Sequence, residues 1–379
     1  MSPSTGAAKT VVMPVRFCTA ASGANSGMWR VLIVEDSPTV KAVLLDAFAQ
    51  DTDFRVSACC ESGMQATRLA QALKPDLITL DLVLPDIDGA QTIRNVMAHS
   101  PTRILVVSSR TDNKHSPLAI DALEAGALDV VAKNTLTTHR AQFLARCRAL
   151  CEAPLPSQIG KSLPLGRPRS PMHLTSSSIN VAALGFGPLP PRMVVIGAST
   201  GGPAALERLM SKWPKDFALP VVVAQHMTEG FSGDLVNWLS GRTKMSVRMA
   251  QDGELPKPGT VYFALDGHHM SFMPNGQLAL EKAGSDALYS PSVDKLFHSA
   301  ARVFSRAAIG VLLTGMGDDG AQGLKAMYTA GGRTVAQDKA TSLVFGMPQM
   351  AIKLDAARVV LPLNEIALYL LDRGGRPKR

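Results

Sequence analysis

Ser199 stands in the run Gly197-Ala198-Ser199-Thr200-Gly201-Gly202-Pro203, directly after the apolar stretch Met193–Ile196. Glycines around a serine permit a sharp strand-to-helix turn that places the hydroxyl at a helix N terminus. Unpaired N–H groups and the helix dipole there favour developing negative charge, as an oxyanion requires. A nucleotide-phosphate loop is disfavoured, because the Walker lysine is missing and the glycines are not spaced Gly-x-Gly-x-x-Gly. A serine nucleophile needs a base, and His226 closely follows the β-type run Val221–Ala224. His268 and His269, expected in a loop after another strand, stand as alternative bases. His298 falls on an apolar helical stretch and reads as structural; His99, His115 and His139 lie in the other half of the chain, and His173 in a linker. A base in turn needs an orienting acid. The turn Thr314-Gly315-Met316-Gly317-Asp318-Asp319-Gly320, after the run Ile309–Leu313, offers two adjacent carboxylates, and the residues alone do not choose between them. The chain order Ser–His–Asp differs from the Ser–Asp–His of the usual α/β-hydrolases.

A second constellation lies upstream. Glu35 and Asp36 end one β-type run, Asp81 ends another, Ser108 a third, and Lys133 follows a fourth. Brought to one sheet edge, three carboxylates supply the hard oxygen ligands that Mg²⁺ prefers. One of them, centrally placed Asp81, could then attack a phosphoryl group, since carboxylates are established covalent nucleophiles.

The elements that must position these residues follow from the apolar pattern. Arg30–Val34, Phe54–Cys59, Leu77–Leu80, Ile104–Val107 and Leu128–Val131 read as strands, with helical stretches around 63–73, 88–98 and 117–125 between them. Five β–α alternations imply a parallel sheet covered by helices, with ligands bound beyond the carboxyl ends of its strands. The same alternation returns from Met193 onward, with further strands at Val221–Ala224, Val261–Ala264 and Ile309–Leu313 and a helix at Pro203–Met210. Eight of the 25 prolines fall between 151 and 191, beside the polar run Thr175-Ser176-Ser177-Ser178, as in a semi-stiff linker. The expected organisation is α/β with two parallel-sheet domains: a poorly ordered extension 1–27, a first domain 28–150, a linker 151–191 and a second domain 192–375. Met28, just before the first strand, is the expected true start, and the basic end after about 370 reads as a frayed terminus.

The 379 residues, 46% hydrophobic and 18% charged, exclude wholesale disorder, and no apolar run approaches the roughly 18 residues of a membrane span. Aromatic residues at 5% argue against a stacking platform for single-stranded nucleic acid. The net charge of +8 is scattered rather than gathered in a stripe, so it reads as solvated surface and no nucleic-acid partner is expected. Five cysteines, Cys18, Cys59, Cys60, Cys147 and Cys151, form no Cys-x-x-Cys pair and read as reduced thiols of a cytoplasmic protein.

Glu35-Asp36, Asp81-x-x-x-Pro85-x-x-x-Gly89, Ser108 and Lys133 resemble the response-regulator receiver family, flavodoxin-like with five βα units, over about 30–135. That resemblance implies phosphorylation of Asp81, Mg²⁺ held by Glu35, Asp36 and Asp81, and Ser108 and Lys133 as the phosphoryl-sensing switch. Asn134 departs from the family, which usually has proline after the lysine. Downstream, Gly197 to Gly202, Gln225-His226-Met227, Pro291-Ser292-Val293-Asp294, the 314–320 turn and Phe345-Gly346-Met347-Pro348 resemble the catalytic domain of chemotaxis protein-glutamate methylesterases, the CheB family. This second resemblance implies Asp319 as the triad acid, with Asp318 at a variable position, and the main chains of Thr200 and Met316 as oxyanion donors. It further implies methylated chemoreceptors as substrate, a histidine kinase as phosphodonor, glutaminase activity beside the esterase, and no cofactor in the catalytic domain. Two other classes compete: a response regulator with a DNA-binding output, and a non-catalytic adaptor.

Overall fold

The structure is a computed structural model that describes residues 27–109, 116–155, 190–228, 230–284, 287 and 289–374. The expectations for Cys18, His115, His173, most of the extension and the central linker therefore lie outside the described residues, as does the basic end beyond 374.

The first sheet contains β1 (Trp29–Val34), β2 (Phe54–Cys60), β3 (Leu77–Leu80), β4 (Arg103–Ser108) and β5 (Asp129–Ala132), all parallel in the order β2-β1-β3-β4-β5. Around it lie α1 (Pro38–Ala49), α2 (Gly63–Leu73), α3 (Gly89–His99), α4 (Ser116–Ala125), α5 (Thr135–Thr138) and α6 (Arg140–Glu152). Strand interiors such as Val31–Ile33 and Ile104–Val106 are apolar on both sides because helices cover both faces of a parallel sheet. The order reverses direction between β1 and β3, which opens a crevice at their carboxyl ends. Glu35, Asp36 and Asp81 sit there.

The second sheet has seven parallel strands: β6 (Met193–Ala198), β7 (Val221–Gln225), β8 (Ser246–Met249), β9 (Thr260–Phe263), β12 (Ala308–Leu312), β13 (Arg333–Gln337) and β14 (Val359–Leu361). Their order is β14-β13-β12-β6-β7-β9-β8, so the switch point falls between β6 and β12, whose loops carry Ser199 and Asp319. The helices of this half are α7 (Gly202–Met210), α8 (Ser232–Ser240), α9 (Val293–Phe304), α10 (Ala321–Thr329), α11 (Met347–Lys353) and α12 (Leu363–Gly374). No helix among the described residues is long and apolar enough to cross a membrane.

One expectation is corrected. His268 and His269 are not in a loop: they open β10 (His268–Phe272), which pairs antiparallel with β11 (Leu278–Lys282). Two adjacent histidines hide the strand pattern, but Asn275-Gly276 between the strands is a hairpin signal, with Gly276 at φ 88°.

Candidate active site

The turn after β6 needs its glycines for space as much as for rotation. Gly201 lies at φ 78°, a left-handed conformation, and a Cβ there would meet Leu343 at 2.7 Å. A Cβ on Gly202 would fall 1.9 Å from Oε1 of Gln225. The chain therefore doubles back tightly: Ser199 N donates to Thr314 O at 3.0 Å and Gly202 N to Ser199 O at 2.7 Å. Ser199 ends up at the head of α7, and Thr314 donates from its hydroxyl to Thr200 O at 3.0 Å, tying the β6 and β12 loops together.

His226 follows β7, its N–H bonded to Ala198 O at 2.9 Å, so its backbone continues the β6–β7 ladder. Nε2 of its ring meets Oδ2 of Asp319 at 2.8 Å, and the ring stacks on Tyr289 with centroids 4.7 Å apart and planes 12° apart. With Nε2–H donated to the carboxylate, Nδ1 is the ring's basic nitrogen. Among the described residues no hydrogen bond joins Ser199 Oγ to the ring; the two side chains face one cavity of about 210 Å³ together with Met316 and Tyr289. Free enzymes often tighten such a bond only around substrate.

Of the two turn carboxylates it is Asp319 that meets His226. It also accepts N–H groups of Val293 (2.7 Å) and Asp294 (2.9 Å) and the hydroxyl of Ser292 (3.2 Å) at the start of α9. Burial alone would raise its pKa, but the bond to His226, the histidine's charge and these N–H donors outweigh burial and hold it below the ordinary carboxylate value. Sequence reasoning assigned no role to Ser292 or Tyr289. The first carries a legible signal, since it caps α9 by accepting Lys295 N at 3.3 Å. The N–H groups of Thr200 and Met316 make no hydrogen bond among the described residues, which leaves both able to face an oxyanion.

The alternative bases lie elsewhere. His269 is buried in β10 behind Asp319, where Nδ1 accepts Ser292 N at 3.1 Å. His268 bonds Asp266 O, and His298 is on α9 beside a different groove.

In the first domain, ligand oxygens of Glu35, Asp36 and Asp81 lie within 4.8 Å of one another. Lys133 Nζ donates to Asp81 Oδ2 at 2.7 Å and Glu35 Oε1 at 2.9 Å. Burial opposes the lysine's charge, yet these two bonds outweigh it and raise its pKa. Burial, with Asp81 adding like charge, raises the pKa of Glu35, whose Oε2 is buried without a hydrogen-bond partner. An orphaned carboxylate oxygen beside two further carboxylates fits a Mg²⁺ ion. Ser108 ends β4, its Oγ donating to Ser109 O at 3.4 Å. Asn134, where the family has proline, stands at the N-terminal boundary of α5 without a side-chain capping hydrogen bond.

The two halves meet over the serine. Thr135, Thr138, His139, Phe143 and Arg146 of the first domain line the same cavity as Ser199 and His226. Thr200 Oγ1 donates to Oδ2 of Asp129 at 2.7 Å, and Glu124 accepts hydrogen bonds from Trp238 and Arg242.

Comparison with known proteins adds the decisive observation. The chain is 40% identical over 351 residues to a protein-glutamate methylesterase/protein-glutamine glutaminase of Cupriavidus metallidurans, covering 92% of this chain and 99% of that protein. The chain belongs to this family. A relative of the same description from Syntrophus aciditrophicus is 40% identical over 353 residues, at 92% and 99% coverage, and one from Myxococcus xanthus 38% over 367, at 92% and 97%. The CheB methylesterase profile matches residues 194–370 and the response regulator receiver profile residues 31–142. Among solved structures, the Thermotoga maritima CheB methylesterase catalytic domain is 38% identical, covering 48% of this chain and 99% of its own, with a TM-score of 0.46. The response regulator domain of Thermotoga maritima CheB is 31% identical, covering 34% of this chain and 98% of its own, with a TM-score of 0.31. The methylesterase profile occupies the region where a DNA-binding output or an adaptor was the competing reading.

Proposed function

We propose that this chain is a cytoplasmic, phosphorylation-controlled serine esterase acting on methylated chemoreceptors. The observation that carries the chemistry is the His226–Asp319 pair facing Ser199 at the sheet's switch point. Ser199 Oγ attacks the carbonyl carbon of a glutamate methyl ester while His226 Nδ1 takes the hydroxyl proton. Asp319 holds the ring and stabilises the imidazolium, and the N–H groups of Thr200 and Met316 receive the oxyanion. The C–O bond to methoxide breaks, the imidazolium returns the proton, and methanol leaves an acyl-serine. Water, deprotonated by the same ring, attacks that ester, which restores Ser199 and leaves a glutamate carboxylate. With a receptor glutamine, the same steps release ammonia.

Control rests on the first domain. A receptor helix is about 10 Å across, and the cavity of about 210 Å³ is too small to seat one against the buried Ser199 while Phe143 and Arg146 form its wall. Phosphoryl transfer from a histidine kinase to Asp81 shifts the population towards a separated arrangement, with Ser108 and Lys133 contacting the new phosphoryl oxygens. Glu35, Asp36 and Asp81 would hold Mg²⁺, which when bound offsets the charge of the carboxylates and the phosphoryl group. The test is methanol release from methylated receptor membranes, with and without a phosphodonor. Ser199→Ala should lower release by about 10⁴-fold or more without loss of receptor binding. Near-normal release by that variant would end the proposal.

A further inference from the structure

At the end of β7, next to the base, Gln225 is 4% exposed and lies outside the cavity wall. Its Nε2 donates twice, to the carbonyl of Ser199 at 2.9 Å and to the carbonyl of His226 at 2.8 Å. Two carbonyl acceptors fix which end of the amide is nitrogen, since an oxygen turned towards them would repel both. Its Oε1 is buried without a partner and fills the place where a side chain at position 202 would stand. The amide is therefore seated from both ends, and an unpaired buried oxygen is a cost that packing alone does not require.

We propose that Gln225 is a positioning residue for acyl transfer, one amide that clamps the main chains of nucleophile and base to each other. The two catalytic residues are 27 positions apart and sit on separate loops. The β6–β7 ladder sets their backbones only as far as the His226 N–H bond to Ala198 O. The Gln225 amide is the side-chain link between the two residues themselves. Because Ser199 Oγ and His226 are not yet bonded in the free protein, their separation depends on how firmly those loops are held. A loss of about 1 Å in alignment costs on the order of 100-fold in rate. The inference rests on the serine-esterase reading and deepens it.

The experiment uses the full chain with acetyl phosphate and Mg²⁺, comparing wild type, Gln225→Met and Gln225→Asn. A fluorophosphonate probe reports the reactivity of Ser199, and methanol release reports kcat and KM. Methionine keeps the volume without the donor; asparagine keeps the amide but falls one methylene short. The expected result is a 10- to 100-fold fall in labelling rate and in kcat for both variants, with KM and melting temperature close to wild type. Wild-type labelling and kcat in either folded variant would overturn the clamp while leaving the esterase reading intact. Wild type inert towards both probe and receptor would overturn the esterase reading and the clamp with it. If neither variant folds, the amide is a folding requirement and the positioning role is refuted.

Discussion

Asp129→Ala isolates the latch between the two domains. Oδ2 of Asp129 accepts the Thr200 hydroxyl at 2.7 Å, one residue from Ser199. The other partners of Asp129 are its neighbour's N–H (Val130, 2.8 Å) and Arg146 at 3.5 Å. Both belong to the first domain, so they persist in closed and open arrangements and cancel from the comparison. What remains is one hydrogen bond to a carboxylate, with Thr200 at 1% exposure left unpaired in the closed form. Such a bond contributes about 1.5–3 kcal/mol. The carboxylate is partly exposed, at 17% of its side chain, so the lower end applies. About 1.4 kcal/mol is a tenfold change in an equilibrium constant, so the open fraction, and with it methanol release without phosphodonor, should rise roughly tenfold. The phosphodonor-stimulated rate should stay at its wild-type ceiling, because Asp129 touches no reacting group. An unchanged or lower idle rate beside an intact stimulated rate would show that the carboxylate does not hold the domains together.

Asp319→Asn removes the negative charge that orients the His226 ring and stabilises its imidazolium, and should lower kcat by about 10³- to 10⁴-fold, read as methanol release in the presence of phosphodonor. Asp81→Asn, or chelation of Mg²⁺ in the wild type, should abolish stimulation by acetyl phosphate and leave the idle rate in place. Asp86 accepts the Ser62 hydroxyl and the N–H groups of Gly63 and Met64 at the head of α2; burial is the largest single influence and opposes its charge, but the hydrogen bonds together outweigh it and hold its pKa at about 2. A depressed carboxylate stabilises the fold above its unfolded pKa of about 3.9 and stops doing so as pH falls through the folded value. Urea melts should therefore show Asp86→Asn less stable than wild type at pH 7, with the gap narrowing from about pH 4 towards pH 2.

How much was readable from the chain depended on range. Strand ends were legible to within two residues because β–α alternation leaves short apolar runs: Val34 stops directly before Glu35, while the run Met193–Ile196 falls two residues short of the strand's end at Ala198, directly before Ser199. The choice between Asp318 and Asp319 was open to local reasoning because both occupy one turn; what separates them is the head of α9, about 25 positions upstream. β13 was missed because Arg333-Thr334-Val335-Ala336-Gln337 looks half polar, although every residue in it is buried. Its Gln337 is consumed internally, accepting Thr314 N at 2.8 Å. The Asp129–Thr200 bond was illegible in principle: it joins two domains across the linker, and no periodicity reports on docking.

Phe143 and Arg146 serve two selections at once. Phe143 packs in the core of the first domain and Arg146 pairs with Asp129 there, and both are also masonry in the chamber around another domain's serine. A receiver borrowed from a different pathway could keep its phosphorylation chemistry whole and still leave the esterase leaking or sealed.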